Sequence, residues 1–127
     1  MSLRPATAPH LDPGPDHPIT VEPTGRRVVV RAGGTVVATS DRTRTLREAS
    51  YAPVVYVPLA DVDPGVLRRT DTTTYCPFKG VASYWTLVLG SGDLVDAVWG
   101  YEAPFPGVLD IAGHVAFVAD RVDVEIG

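Results

Sequence analysis

The sequence predicts an all-β domain, either a two-sheet sandwich or a compact, partly open barrel of short antiparallel strands with one or two short helical turns. Three observations carry this reading. From Ile19 onward, β-branched runs of four to nine residues alternate with turn residues. Two of the gaps between runs, Gly33-Gly34 and Gly90-Ser91-Gly92-Asp93, have the length and composition of tight hairpin turns. Signals for a long helix are absent, so the sheets must bury their apolar faces against each other. At 127 residues and 45% hydrophobic composition, the chain suffices for one domain with a core of its own.

Taken in order, MSLRPATAPHLDPGPDHP carries five prolines in eighteen residues and follows no period of two or of 3.6. Residues 1–18 therefore read as an extended, flexible arm and residues 19–127 as the single β domain. The strand candidates are ITVE, RRVVVR, TVVATS, VVYV, TTTY, VASYWTLVL, LVDAVWGY, HVAFVA and RVDVEI. RRVVVR and TVVATS form the first predicted hairpin, VASYWTLVL and LVDAVWGY the second. Asp63, Pro64 and VLRR read as an N-cap, a first-turn proline and about one turn of helix. Pro106 before GVLDIAG opens another short turn. In VASYWTLVL, alternation sends Val81, Trp85, Leu87 and Leu89 one way and Ala82, Tyr84 and Val88 the other. Both faces are apolar, which predicts an interior strand.

Fifteen acidic and eleven basic side chains give a formal charge of -4, so no basic surface awaits a nucleic acid. No apolar run reaches the roughly eighteen residues of a membrane span, and no apolar signal core opens the chain. One cysteine cannot form an intramolecular disulfide. A soluble protein of the reducing cytoplasm is the expectation. The oligomeric state is not legible.

The densest chemistry is TTTYCPFKGVASYW, residues 72–85, which holds the only cysteine, the only lysine and four aromatics. Pro77 extends Cys76 and Gly80 permits a positive φ, so the chain turns and brings Cys76 near Lys79. An ammonium beside a thiol favours the nucleophilic thiolate, which makes Cys76 a candidate nucleophile or redox centre. The competing reading is a small buried hydrophobe. None of His10, His17 and His114 is an obvious base beside it, which favours packing. Tyr75, Tyr84, Trp85, Trp99 and Tyr101 are candidates for cross-strand packing or for a pocket in which hydroxyls orient a ligand. SDRTRTLRE, residues 40–48, reads as a solvated loop. Turned inward, Arg44 would join Lys79 in an anion site with Glu48 orienting its guanidinium.

Other chemistries lack their motifs. No CxxC, HExxH or histidine pair at ligand spacing is present, and no GxGxxG or GxxxxGK[ST] loop. No metal or cofactor is expected. A trio of Ser83, His114 and Asp110 is of the kind any chain this long offers by chance.

In order along residues 16–124, DHPITVEP, VVATS, VVYVPLADVD, TYCPFKGVASYW and AVWGYEAPFPGVLDIAGHVAFVADRVDV resemble the bacterial and fungal family known as domain of unknown function 427. The resemblance implies a mostly β domain of small-barrel or tent-like form with no established reaction. Its signature positions fall here on Glu48, Tyr56, Pro58, Cys76, Lys79, Gly80, Tyr84, Trp85, Trp99, Tyr101, Pro104, Gly113 and Phe117, with Phe78 as the aromatic after Cys76 and Pro77. Val118 stands where a second terminal aromatic is common. A nucleotidyltransferase-like label sometimes given to the family is not supported by the residues, because that chemistry needs paired carboxylates for magnesium beside a phosphate-binding turn. Asp61 and Asp63 are close in sequence, but Asp63 reads as a helix cap. The functional expectation is a small polar or anionic ligand bound near Lys79, Tyr56, Tyr84 and Tyr101, with Trp99, Arg44 and Glu48 around it. The alternatives are an enzyme acting through Cys76 and an interaction module without a ligand.

Overall fold

The computed structural model describes residues 10–127. Among these the strands are β1 (Ile19–Pro23), β2 (Val28–Ala32), β3 (Thr35–Ser40), β4 (Arg44–Glu48), β5 (Val54–Pro58), β6 (Leu67–Cys76), β7 (Gly80–Leu87), β8 (Leu94–Gly100), β9 (His114–Phe117) and β10 (Asp123–Ile126). They form a seven-stranded sheet in the order β1-β4-β5-β9-β8-β7-β6 and a three-stranded sheet in the order β10-β2-β3. Every pairing is antiparallel. The fold is therefore all-β with two antiparallel sheets, and no barrel closes.

Both predicted hairpins are present, as β2–β3 and β7–β8. Gly33 and Gly34 take φ of 55° and 79°, the twist a two-residue hairpin turn demands. Gly33 is also a point of close approach, since a Cβ there would lie 2.5 Å from the Ser91 hydroxyl in the turn of the second hairpin. The tips of the two hairpins thus lean on each other.

Alternation along β5, β7 and β9 divides the interior into two cores. Val57, Trp85, Leu87, Val115 and Phe117 face the three-stranded sheet and pack with Val28, Val30 and Val37. On the opposite side, Tyr56, Ala82 and Ala116 pack with Leu46, Tyr101, Val108 and Ile111. Val108 and Ile111 belong to the 3-10 segment Pro106–Ile111, which covers this second core. β7 is interior, as its two apolar faces predict, although Val81 at its start is 39% exposed.

Two expectations need correction, and the N-terminal stretch makes contacts that its composition does not announce. The solvated loop expected over residues 40–48 contains β4, held between β1 and β5 by backbone pairing and anchored by buried Leu46. The helical turn after Asp63 spans only Pro64–Val66; Asp63 does cap it, accepting from the Gly65 N–H at 2.9 Å, but Leu67 already belongs to β6. Residues 1–18 were expected to form an extended, flexible, proline-rich arm. Residues 1–9 of it lie outside the described residues, but residues 10–18 are fastened to the domain: the Leu11 N–H donates to the Pro77 carbonyl at 2.9 Å, and His10 stacks on Phe105 with ring centroids 3.8 Å apart. Stacking and backbone pairing hold what composition alone would leave loose.

Candidate functional site

The site is built where the β6–β7 turn meets β4. The Lys79 N–H closes the turn onto the Cys76 carbonyl at 3.2 Å, and Gly80 follows with φ of 109°. The Lys79 carbonyl then accepts from the Phe105 N–H at 3.0 Å, which ties the turn to the segment entering the second core. Lys79 is only 8% exposed. Its ammonium donates to Glu48 Oε1 at 2.5 Å and lies 3.8 Å from Cys76 Sγ. The proximity of Cys76 and Lys79 expected from Pro77 and Gly80 is present.

Glu48 is the hub. Its second oxygen meets His17 Nε2 at 2.7 Å, and the His17 ring stacks on Phe78 with centroids 4.0 Å apart and planes 7° from parallel. Burial raises the carboxyl pKa, but hydrogen bonds and charge from Lys79 and His17 outweigh it and hold Glu48 below its ordinary range. The carboxylate is thus ionised and shared between two donors. It does not orient Arg44 as the inward reading required. Arg44 shares the β4 face of Leu46 and Glu48 by alternation and is half-buried, opposite Tyr56 in register, yet Glu48 turns to Lys79 and His17 instead.

The tyrosines and Trp99 gather on the second core. Tyr84 and Trp99 are direct cross-strand partners, and both pack against the cluster that holds Tyr56 and Tyr101. Tyr56 is 2% exposed; burial pushes its hydroxyl up to about 12, against an opposing interaction with the Trp99 side chain. Burial also raises the Tyr101 hydroxyl well above its usual value, helped by the nearness of Tyr56, Cys76, Tyr84 and Glu48. These mutual influences locate the polar ends of the cluster around a common region. Tyr84 shares a hydrogen bond with the Thr74 hydroxyl at 3.0 Å, whereas the Tyr101 hydroxyl has no hydrogen-bond partner among the described residues.

Of the expected residues, Cys76, Lys79, Glu48, Tyr56, Tyr84, Trp99 and Tyr101 are brought together. His17 and Phe78 complete the arrangement, and His17 was missed as a participant. Its one signal was position, two residues before β1, whose first residue Ile19 pairs with Glu48. Ser83 is engaged elsewhere: its hydroxyl donates to Glu102 at 2.8 Å and accepts from Arg69 at 2.9 Å, while Nδ1 of His114 meets the Ala112 carbonyl. Asp61 and Asp63 serve separate ends as well, Asp61 accepting from Ser40 and Arg42 and Asp63 capping its turn. Among the described residues no group of three or more His, Cys, Asp and Glu side chains is arranged to hold a metal ion.

Fold and site together define a two-sheet β domain with a lysine–carboxylate–histidine chain set against buried tyrosines. The family model described as a domain of unknown function, DUF427, matches residues 20–127, and the chain belongs to that family. No curated protein matches it. No described helix is long and apolar enough to cross a membrane.

Proposed function

We propose that the domain binds a small polar or anionic molecule, rich in hydrogen-bond acceptors, at the Lys79–Tyr101 cluster. The observation that carries this is a surplus of donors. Lys79 has three N–H bonds, of which one meets a carboxylate oxygen and one a weak sulfur acceptor. The Tyr101 hydroxyl, on a buried ring, adds a further uncommitted donor. Uncommitted donors at the edge of a largely desolvated cluster favour acceptors, so a carboxylate, phosphate or carbonyl group is the complement. Glu48 pairs with the lysine charge, so hydrogen bonds from the cluster rather than net charge carry the recognition. The reading also sets the domain in the reducing cytoplasm, where a lone thiol stays reduced.

The test is thermal melting in acetate, phosphate, pyrophosphate and adenosine monophosphate. A molecule that binds the native state alone must raise the melting temperature. One of these is expected to do so in the wild type and to lose the effect in Lys79→Met and Tyr101→Phe. Equal shifts in wild type and variants would defeat the reading.

A second reading rests on the 3.8 Å separation of Lys79 Nζ and Cys76 Sγ, in which Cys76 is a nucleophile. Rapid labelling of the folded protein by iodoacetamide below pH 7 would favour it. Inertness would leave Cys76 as packing.

A further inference from the structure

β5 and β9 pair over only two positions, Val57 with Val115 and Pro58 with His114. Beyond them the two strands part. The register, continued, would set Val55 against Phe117 and Pro53 against Ala119, yet in place of that ladder there is a cavity of about 240 Å³. All ten residues that line it carry apolar side chains. Val30, Val57 and Phe117 are buried and form its inner wall, Trp99 forms one side, and exposed Ala52 and Ala119 stand at its mouth.

The cavity opens to solvent at one end and is large enough to admit more than a single water. Apart from the Trp99 indole its side chains offer no hydrogen bond, so water held there has few side-chain partners. The volume lies between the roughly 150 Å³ that accepts benzene in an apolar cavity and the roughly 300 Å³ at which drug-sized sites begin. We propose that the split between β5 and β9 is a binding site for an uncharged apolar molecule, about the size of a bicyclic aromatic or of a hydrocarbon chain of roughly eight carbons. The site is separate from the Lys79 cluster in chemistry, because it has no charge and no donor side chain apart from the Trp99 indole. Trp99 is nevertheless common to both: it lines the cavity and packs against the core that holds Tyr56 and Tyr101. Entry of an apolar molecule changes the surroundings of Trp99, which lines the cavity; Trp85 does not line it but belongs to the same core as its inner wall of Val30, Val57 and Phe117, so emission from both indoles is followed.

The experiment titrates the full chain with n-alkanols from butanol to decanol and follows tryptophan emission. The expected result is a saturable change whose affinity rises about fourfold per added methylene until the chain outgrows the cavity. Val55→Phe, which fills the space from the wall, should abolish it. Ala119→Leu narrows the mouth from an exposed position and should weaken it at least several-fold, which keeps the test open should Val55→Phe fail to fold. Lys79→Met should respond as the wild type does. The proposal is overturned by a response that does not saturate, by affinity independent of chain length, or by unchanged binding in both cavity variants. Loss of the response in Lys79→Met would assign it to the polar cluster and overturn the proposal as well.

Discussion

Lys79 and Glu48, 31 residues apart in the chain, meet in a 2.5 Å ion pair with both side chains largely withdrawn from solvent. Such a pair is weak evidence of stabilisation in itself, because desolvating two charges offsets most of their attraction. Removing one partner is another matter, since the other is left buried and unpaired.

Glu48→Gln should therefore destabilise the domain by about 3 kcal/mol, measured by urea unfolding. Lys79→Met should cost less, since Glu48 keeps His17 and the methionine keeps most of the lysine stem. A double-mutant cycle of the two is expected to show a coupling of about 1 kcal/mol or more, and additive effects would count against the pair.

The same carboxylate makes stability depend on acid. Glu48 titrates below its ordinary value of 4.5 when folded, so the unfolded chain binds its proton first as pH falls. The stabilisation from ionised Glu48 is complete above that value and is lost as pH drops through the lower, folded one. Wild-type stability should fall more steeply below pH 4.5 than that of Glu48→Gln, as read from urea midpoints at successive pH values. Parallel curves would show that Glu48 is not held low.

Thr43 is 2% exposed and its hydroxyl has no hydrogen-bond partner among the described residues. A buried hydroxyl left unsatisfied costs about 1–3 kcal/mol. Thr43→Val keeps the β-branched shape and should raise the melting temperature by a few degrees. A drop of similar size would mean that the hydroxyl is paired in solution.

Gly33 and Gly34 share positive φ, but only Gly33 faces a neighbour. Gly34→Ala should lose about 1 kcal/mol for its backbone conformation alone. Gly33→Ala adds a clash with the Ser91 hydroxyl, which must rotate away, and should lose slightly more, a difference that Ser91→Ala removes. Equal losses would show that the hairpin tips do not touch.

The hairpins were legible because their signals are local: glycines at a turn and β-branched residues on either side. The nearness of Cys76 and Lys79 was legible for the same reason, as three residues and a proline leave few paths. β4 was not, because Leu46 is its one large apolar residue beside two arginines, and what makes it a strand is pairing with β1 and β5. His17 was hidden in a proline-rich stretch whose composition says nothing of the Phe78 ring on which it stacks. The split between β5 and β9 was hidden too, since it depends on where a ladder between strands over fifty residues apart gives out. Alternation marked faces correctly; which faces meet is a property of long-range register.

The most direct measurement of the central claim is the backbone and tyrosine-ring NMR spectrum of the full chain during titration with the same four anions. Binding at the donor-rich cluster predicts that shift changes for at least one of them saturate and concentrate at Cys76, Lys79, Tyr84 and Tyr101. Changes that never saturate, or that gather on surface arginines and leave these four residues unmoved, would contradict it.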